Sequence, residues 1–220
     1  MNAGKRDMKR VITVTGKKLS VKAKKRQLTK HRQLEIEVKL EVKGLQKVRR
    51  EILALGFEEK VHRAFEDNWI LDFPNRSLYQ NSCLLRLREF NGKCWVTFKG
   101  PTENSAHFKV REELETEVVD KSTLYKILGR LGLRRAFRYQ KYRSIFEPEA
   151  AQRLGRVTLV LDETPIGNYL EIEGSPNEIN TIAARLGYSH QDFIRESYAD
   201  LYAKLYPSAK SPGMIFRRPR

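Results

Sequence analysis

Along residues 34–42 the chain reads LEIEVKLEV, and apolar and charged positions alternate without a break. Leu34, Ile36, Val38, Leu40 and Val42 take one parity, and Glu35, Glu37, Lys39 and Glu41 take the other. A period of two predicts a β-strand with aliphatics on one face and charges on the opposite face. The pattern recurs along the chain. CLLRLREF and KCWVTFKG flank Asn91-Gly92, a dipeptide that favours a two-residue hairpin turn. Pairing about that turn sets Phe90 opposite Lys93, Arg88 opposite Trp95 and Arg86 opposite Thr97. Arg86, Arg88, Thr97 and Lys99 then share one face, and Leu85, Leu87, Val96 and Phe98 the other. FKVREELETEVV puts Lys109, Arg111, Glu113, Glu115 and Glu117 on one side. RYQKYRSIF places Lys141 and Arg143 two apart, VTLVLDE carries Thr158, Val160 and Asp162 on one face, and YLEIEG carries Glu171 and Glu173. A further strand is expected around Asn68–Asp72.

Between the strands the period lengthens to that of helices. Leu45, Val48, Ile52 and Leu55 predict a helix ending at Gly56. Asp120 or Ser122 can cap a second, with Leu124, Ile127, Leu128 and Leu131 apolar and Gly132 at its end. Ser175-Pro176-Asn177-Glu178 reads as a capping box opening a third helix, which buries Ile179, Ile182, Ala183 and Leu186 and ends at Gly187. A last helix is expected over Glu196–Tyr206, with Tyr198, Leu201, Tyr202 and Leu205 inward. The shared endings LALGF, GRLGL and ARLGY hint at a duplicated strand–helix unit, although leucine-glycine is a common helix end.

Roughly eight strands with one apolar face each, and four short helices to cover those faces, predict an α+β fold. Its expected form is an eight-stranded antiparallel β-barrel with helices packed outside and charges inside. The interior set is Glu35, Glu37, Lys39, Arg86, Arg88, Lys99, Arg111, Glu113, Lys141, Arg143, Asp162, Glu171 and Glu173. Buried charges must pair or bind ions. A self-neutralising network, or a half-open sheet with a wet charged face, would satisfy that rule without a ligand. A polyanion that travels with a divalent metal would use both signs: cations for phosphoryl oxygens, carboxylates for Mg²⁺ or Mn²⁺.

Composition changes the picture at the ends. The net charge of +16 is concentrated in residues 1–33, which hold twelve Lys and Arg against Asp7 alone, and in Arg217, Arg218 and Arg220. Residues 34–216 are nearly neutral at +2. The expected organisation is a basic, disordered tail over 1–33, a folded domain over 34–206 and a basic tail over 207–220. VITVT at 11–15 is a candidate short strand within the first tail, and the tail suits weak contact with polyanions. No apolar run reaches the roughly 18 residues of a membrane span. Cys83 and Cys94 give neither a disulfide framework nor zinc spacing, so a cytoplasmic setting is expected. His31, His62, His107 and His190 lack ligand spacing, and no Gly-rich phosphate loop is present.

The ordered motifs resemble the CYTH superfamily of triphosphate tunnel metalloenzymes. They are Glu35-Ile36-Glu37-Val38-Lys39, LRLRE with Arg86 and Arg88, TFKGP with Lys99, KVREE with Arg111 and Glu113, KYR with Lys141 and Arg143, LDE with Asp162, and YLEIEG with Glu171 and Glu173. TFKGP, REE and LDETPIGNYLEIEG are most similar to the class IV adenylyl cyclase branch. Trp69 stands where that family pattern leads one to expect tyrosine, and the basic tail replaces a short His-Phe segment ahead of the first strand. The resemblance implies a triphosphate tunnel and a Mg²⁺- or Mn²⁺-dependent reaction on ATP or another triphosphate. Lys39, Arg86, Arg88, Lys99, Arg111, Lys141 and Arg143 would bind the triphosphate. Glu35, Glu37, Glu113, Asp162, Glu171 and Glu173 would hold metal or orient water. Lys39, Arg111 and Asp162 are expected nearest the chemistry. Cyclisation of ATP to cyclic AMP and pyrophosphate is the first reading, and hydrolysis of a nucleoside triphosphate, tripolyphosphate or thiamine triphosphate the alternative. A non-catalytic polyanion binder would leave the acidic set without a use. Trp95 could stack on a base or simply fill the barrel mouth. Homodimers occur in the family, but no exposed apolar stripe of this sequence points to one.

Overall fold

The computed structural model describes residues 34–149, 156–208 and 213–217. The 1–33 segment and its VITVT stretch lie outside the described residues. Eight strands form one antiparallel sheet: β1 (Leu34–Glu41), β2 (Phe57–Asp72), β3 (Leu84–Phe90), β4 (Lys93–Lys99), β5 (Lys109–Glu117), β6 (Arg134–Pro148), β7 (Thr158–Thr164) and β8 (Gly167–Glu173). Their spatial order is β2-β3-β4-β5-β1-β8-β7-β6, and β6 pairs back onto β2, which closes the expected barrel. Among the described residues there are five helices: α1 (Leu45–Ala54), α2 (Ser77–Gln80), α3 (Lys121–Arg130), α4 (Pro176–Arg185) and α5 (Tyr198–Leu205). None is long and apolar enough to cross a membrane.

The β3–β4 hairpin has the register read from Asn91-Gly92, with Phe90 opposite Lys93, Arg88 opposite Trp95 and Arg86 opposite Thr97. Asn91 and Gly92 have φ of 50° and 75°, the double left-handed turn that matches strand twist. In β1, Glu35 faces Arg111 of β5, Lys39 faces Glu171 of β8, and Glu37 pairs with both Lys109 and Glu173. Directly opposed residues share a face, so these pairs carry the charged parity of β1 around the barrel interior.

The outer faces are covered as the apolar positions require. Val48 and Ile52 of α1, and Ile179, Ile182 and Ala183 of α4, pack with Val38, Leu40, Leu159, Leu170 and Ile172. Fully burying each such aliphatic contributes about 1.5–3 kcal/mol. Asp120 caps α3 by accepting the Thr123 N–H at 3.0 Å, and Ser175 and Glu178 make the reciprocal box that opens α4. The three leucine-glycine ends are left-handed in common, with φ of 85°, 98° and 82° at Gly56, Gly132 and Gly187.

Two helices differ from their sequence patterns. Leu124, Tyr125 and Leu128 of α3 pack beside Leu71 and Leu87, but Ile127 and Leu131 are 52% and 66% exposed. Leu205 of α5 is also exposed, while Tyr198, Leu201 and Tyr202 pack inward. A lone helix on a convex wall has one narrow contact stripe, so apolar residues at its margin stay in solvent. The strand expected around Asn68–Asp72 is the end of the 16-residue β2. Register shifts between Glu59 and Val61 and between Val61 and Ala64 break its alternation, which hid its first half. Within the segment expected as a basic C-terminal tail, Gly213–Met214 forms β9, parallel to Arg138–Tyr139 of β6.

Candidate active site

One cavity of about 440 Å³ opens inside the barrel. Twelve of the thirteen expected interior residues line it, and only Asp162 lies behind the wall. Lys109 and Glu115 join the lining, as do Tyr139 and Tyr198. Lys109 and Glu115 share the parity of Arg111 and Glu113, so the alternation already contained them. Glu66, fully buried beneath the lining, was hidden by the irregular β2. Tyr198 starts α5 and belongs to no strand parity.

The charges sort into two groups. The first is built on β1, β4, β5 and β8. Lys99 Nζ meets both Glu35 oxygens at 2.6 Å and Glu113 at 2.8 Å. Lys109 Nζ pairs with Glu37 at 2.9 Å, and Arg111 lies 3.4 Å from Glu35 and 3.7 Å from Glu37. Glu173 has no ion pair among the described residues and stands opposite Glu37. Although the residue is exposed, the surrounding barrel mouth partly desolvates its carboxylate and raises its pKa, and the Glu37 charge raises it further. Glu35 is pushed up to about 7 by burial, then by Glu37 and Glu113, with which it shares a hydrogen bond. Its contacts with Lys99 only partly offset that rise. The neighbouring cations hold Glu37 and Glu113 low against burial, so the carboxylate charge left under-neutralised at this end is that of Glu35 and Glu173.

The second group is built on β1, β2, β6, β7 and β8, and it is tightly paired. Asp162 accepts from Lys141 at 2.8 Å, from Arg143 Nε and Nη2 at 2.7 Å, and from the Tyr198 hydroxyl at 2.8 Å. Arg143 also reaches Glu171 at 2.6 Å, and Lys39 lies 3.2 Å from the same carboxylate. Glu66 sits 3.4 Å from Lys141 and 3.7 Å from Arg143. Burial alone would raise Glu66 and Asp162, but their cationic neighbours win and hold both low, Glu66 at about 2. Between the groups, Arg86 donates to the Tyr139 hydroxyl at 3.4 Å and to Thr97 at 3.3 Å. Arg88 pairs with Glu115 at 2.8 Å and stacks over the Trp95 ring at 5.0 Å.

Among the described residues no three carboxylate, histidine or cysteine side chains stand together as a ready metal cluster. The first group nevertheless fits a hard divalent cation by its donor chemistry. Glu35, raised by its carboxylate neighbours, stands beside Glu113, and Glu173 faces Glu37 with no ion pair among the described residues, so a cation here would supply missing positive charge. The second group fits one poorly. The oxygens of Asp162 are filled by four donated hydrogen bonds, and the residue is 0% exposed. The expectation that Asp162 ligates metal or stands at the chemistry is therefore revised: it holds Lys141 and Arg143 in place. Glu171 is likewise engaged by Lys39 and Arg143.

The CYTH domain profile matches residues 33–198. A protein of Methanocaldococcus jannaschii, named as a candidate adenylate cyclase, is 28% identical over 178 residues, covering 76% of this chain and 98% of the relative. The crystal structure of a candidate adenylate cyclase from Vibrio parahaemolyticus superposes with a TM-score of 0.67 at 22% identity, over 78% of this chain and 98% of that one. A Hippeastrum protein, described as a candidate adenylyl cyclase with a dominant triphosphatase activity, superposes with a TM-score of 0.55 at 16% identity, over 80% and 97% of the two chains. Both structural likenesses support the barrel fold.

Proposed function

Because the chain belongs to the CYTH family, we propose that it is a divalent-metal-dependent enzyme that binds the triphosphate of ATP inside the barrel and cyclises it to cyclic AMP and pyrophosphate. The observation that carries this reading is the convergence of cations from β1, β3, β4, β5 and β6 on one cavity that also holds an under-neutralised carboxylate group. Arg86, Arg88, Lys99 and Arg111 offer donors to the phosphoryl oxygens, with Lys109 beside them. Lys39, Lys141 and Arg143, held by Glu171, Asp162 and Glu66, form a stiff, charge-balanced wall of fixed donors that need not reorganise during the reaction. Glu35, Glu37, Glu113 and Glu173 would hold Mg²⁺ or Mn²⁺. The bound ion would neutralise phosphoryl charge as a Lewis acid. In cyclisation the ribose 3′-hydroxyl attacks the α-phosphorus, its proton leaves to a base, and pyrophosphate departs.

Hydrolysis is the second reading, because the same clamp and the same metal-holding carboxylates would serve a water molecule attacking the terminal phosphorus. The name of the M. jannaschii relative favours cyclisation, and the description of the Hippeastrum protein keeps hydrolysis in view. The test is incubation of purified protein with ATP, or with tripolyphosphate, in Mg²⁺ or Mn²⁺, resolving cyclic AMP, pyrophosphate and phosphate. Cyclic AMP with equimolar pyrophosphate supports the first reading, and phosphate release the second. Tight binding of both anions without turnover would reduce the protein to a polyanion-binding module.

A further inference from the structure

Part of the cavity lining is not charged. At one lip it is formed by Ile70, Cys83, Leu84 and Tyr79. These residues abut the clamp directly: Ile70 stands opposite Arg86 in the β2–β3 ladder, and Leu84 stands opposite Lys99 in the β3–β4 ladder. Opposed side chains on one face are about 5 Å apart at Cβ, so a group that leaves the phosphate clamp at this side meets apolar surface at once.

Tyr79 is held there by a built bracket. The Asp72 carboxylate at the end of β2 accepts the backbone N–H groups of Phe73 at 2.7 Å, Leu78 at 3.0 Å and Tyr79 at 3.0 Å. The short α2 is bounded by Arg76 and Ser82, both non-glycine residues with left-handed φ, at 57° and 55°. Such conformations persist only where the surroundings enforce them. The bracket presents a tyrosine that is 57% exposed, with the Arg76 guanidinium 4.4 Å from its ring centre. A large aromatic fixed at a cavity lip and left in water has no packing reason to be there.

We propose that Tyr79, backed by Ile70 and Leu84, is the stacking platform for the base of a nucleoside triphosphate whose phosphates occupy the clamp. The inference rests on the triphosphate reading above and deepens it, because it assigns the substrate class: nucleotides over inorganic tripolyphosphate. Flat bases stack on aromatic rings in a largely sequence-independent way, and the nearby guanidinium adds to the attraction.

The experiment compares Tyr79→Ala and Tyr79→Phe with the parent protein, using ATP and tripolyphosphate as parallel substrates and equilibrium binding of both anions. Tyr79→Ala is expected to raise KM and Kd for ATP on the order of tenfold or more, and to leave those for tripolyphosphate unchanged. Tyr79→Phe keeps the ring and should behave as the parent. Equal losses for both anions would show a general lip or folding effect and overturn the platform. So would an unchanged ATP constant in Tyr79→Ala. If the parent binds neither anion, it is the triphosphate reading that fails. Binding without turnover leaves the platform testable through the two dissociation constants.

Discussion

Glu66 makes no contact with solvent and yet is held as a carboxylate. It is 0% exposed, and Lys141, Arg143, Arg86 and Arg88 hold its pKa at about 2 against the opposing effect of burial. A carboxylate whose folded pKa lies below its unfolded value contributes stability above the unfolded value and loses it as pH falls through the folded one. Glu66 thus stabilises the fold above about pH 4.5, and that contribution drains away between about 4.5 and 2. Glu66→Gln keeps the volume but strands buried cations, so it should cost about 3 kcal/mol at neutral pH and flatten the acid limb. Thermal melting from pH 2 to 7 checks this, and parallel parent and mutant profiles would refute it. Tyr198→Phe is a milder probe. It removes the hydroxyl that donates to Asp162, and should lower stability by about 1 kcal/mol while reducing turnover through the looser Arg143. Turnover that falls no further in Tyr198→Phe than in an equally destabilised variant at a distant core position would separate Tyr198 from the wall. At this scale the sequence was readable wherever parity held, as at Lys109 and Glu115. It gave no site role to Glu66 and Tyr198, which sit on the irregular β2 and on the helix α5.

Among the elements, the hairpin at Asn91-Gly92 and the capped helices were legible because each is specified by residues within a few positions of one another. The first half of β2 and the whole of β9 were not, because each is specified by pairing with β6. β6 is longer than β7, whose ladder runs only from Tyr142 to Phe146, so the earlier part of β6 presents free backbone on that side. β9 takes part of this edge at Arg138 and Tyr139. Met214 is 0% exposed and packs in one cluster with Tyr139, Tyr169 and Tyr198, two of which line the cavity. Beyond it, the Phe216 N–H donates to Gln140 Oε1 at 3.2 Å, and its ring lies 5.2 Å from that of Tyr142. Met214→Ala should therefore cost about 2–5 kcal/mol, and Met214→Leu less than about 1.5. The urea midpoint at constant slope reads the difference. A Met214→Ala midpoint equal to the parent's would mean that β9 does not hold this cluster in solution.

For the molecule as a whole, the charged interior was readable as a set because a closed barrel forces every strand's charged parity inward. Its division into a paired wall and an under-neutralised carboxylate group was not, because that depends on which strands neighbour β1. The division gives the two groups opposite responses to metal. At Glu35 and Glu173 a divalent cation relieves repulsion from Glu37 and Glu113 that the cations present do not cancel, so binding should stabilise the folded state. At a metal concentration a hundredfold above Kd the gain is about 2.7 kcal/mol, seen as a rise in Tm. The substitution Glu173→Gln should shrink that rise without lowering Tm in the absence of metal by a comparable amount, since Glu173 has no ion pair among the described residues to lose. Arg143 belongs to the other group, bridging Asp162, Glu171 and Glu66. Arg143→Met should lower Tm strongly, because two of those carboxylates are 0% exposed and are left beside one another with less positive charge. Added Mn²⁺ should raise the Tm of Arg143→Met by the same increment as the parent's, and should not restore it, because the cation has no path to Asp162 or Glu66. A Tm for Arg143→Met that climbs to the parent's value with Mn²⁺ would show a single exchangeable pool of carboxylates. A parent Tm indifferent to Mn²⁺ and Mg²⁺ would remove the metal from the Glu35 end of the cavity.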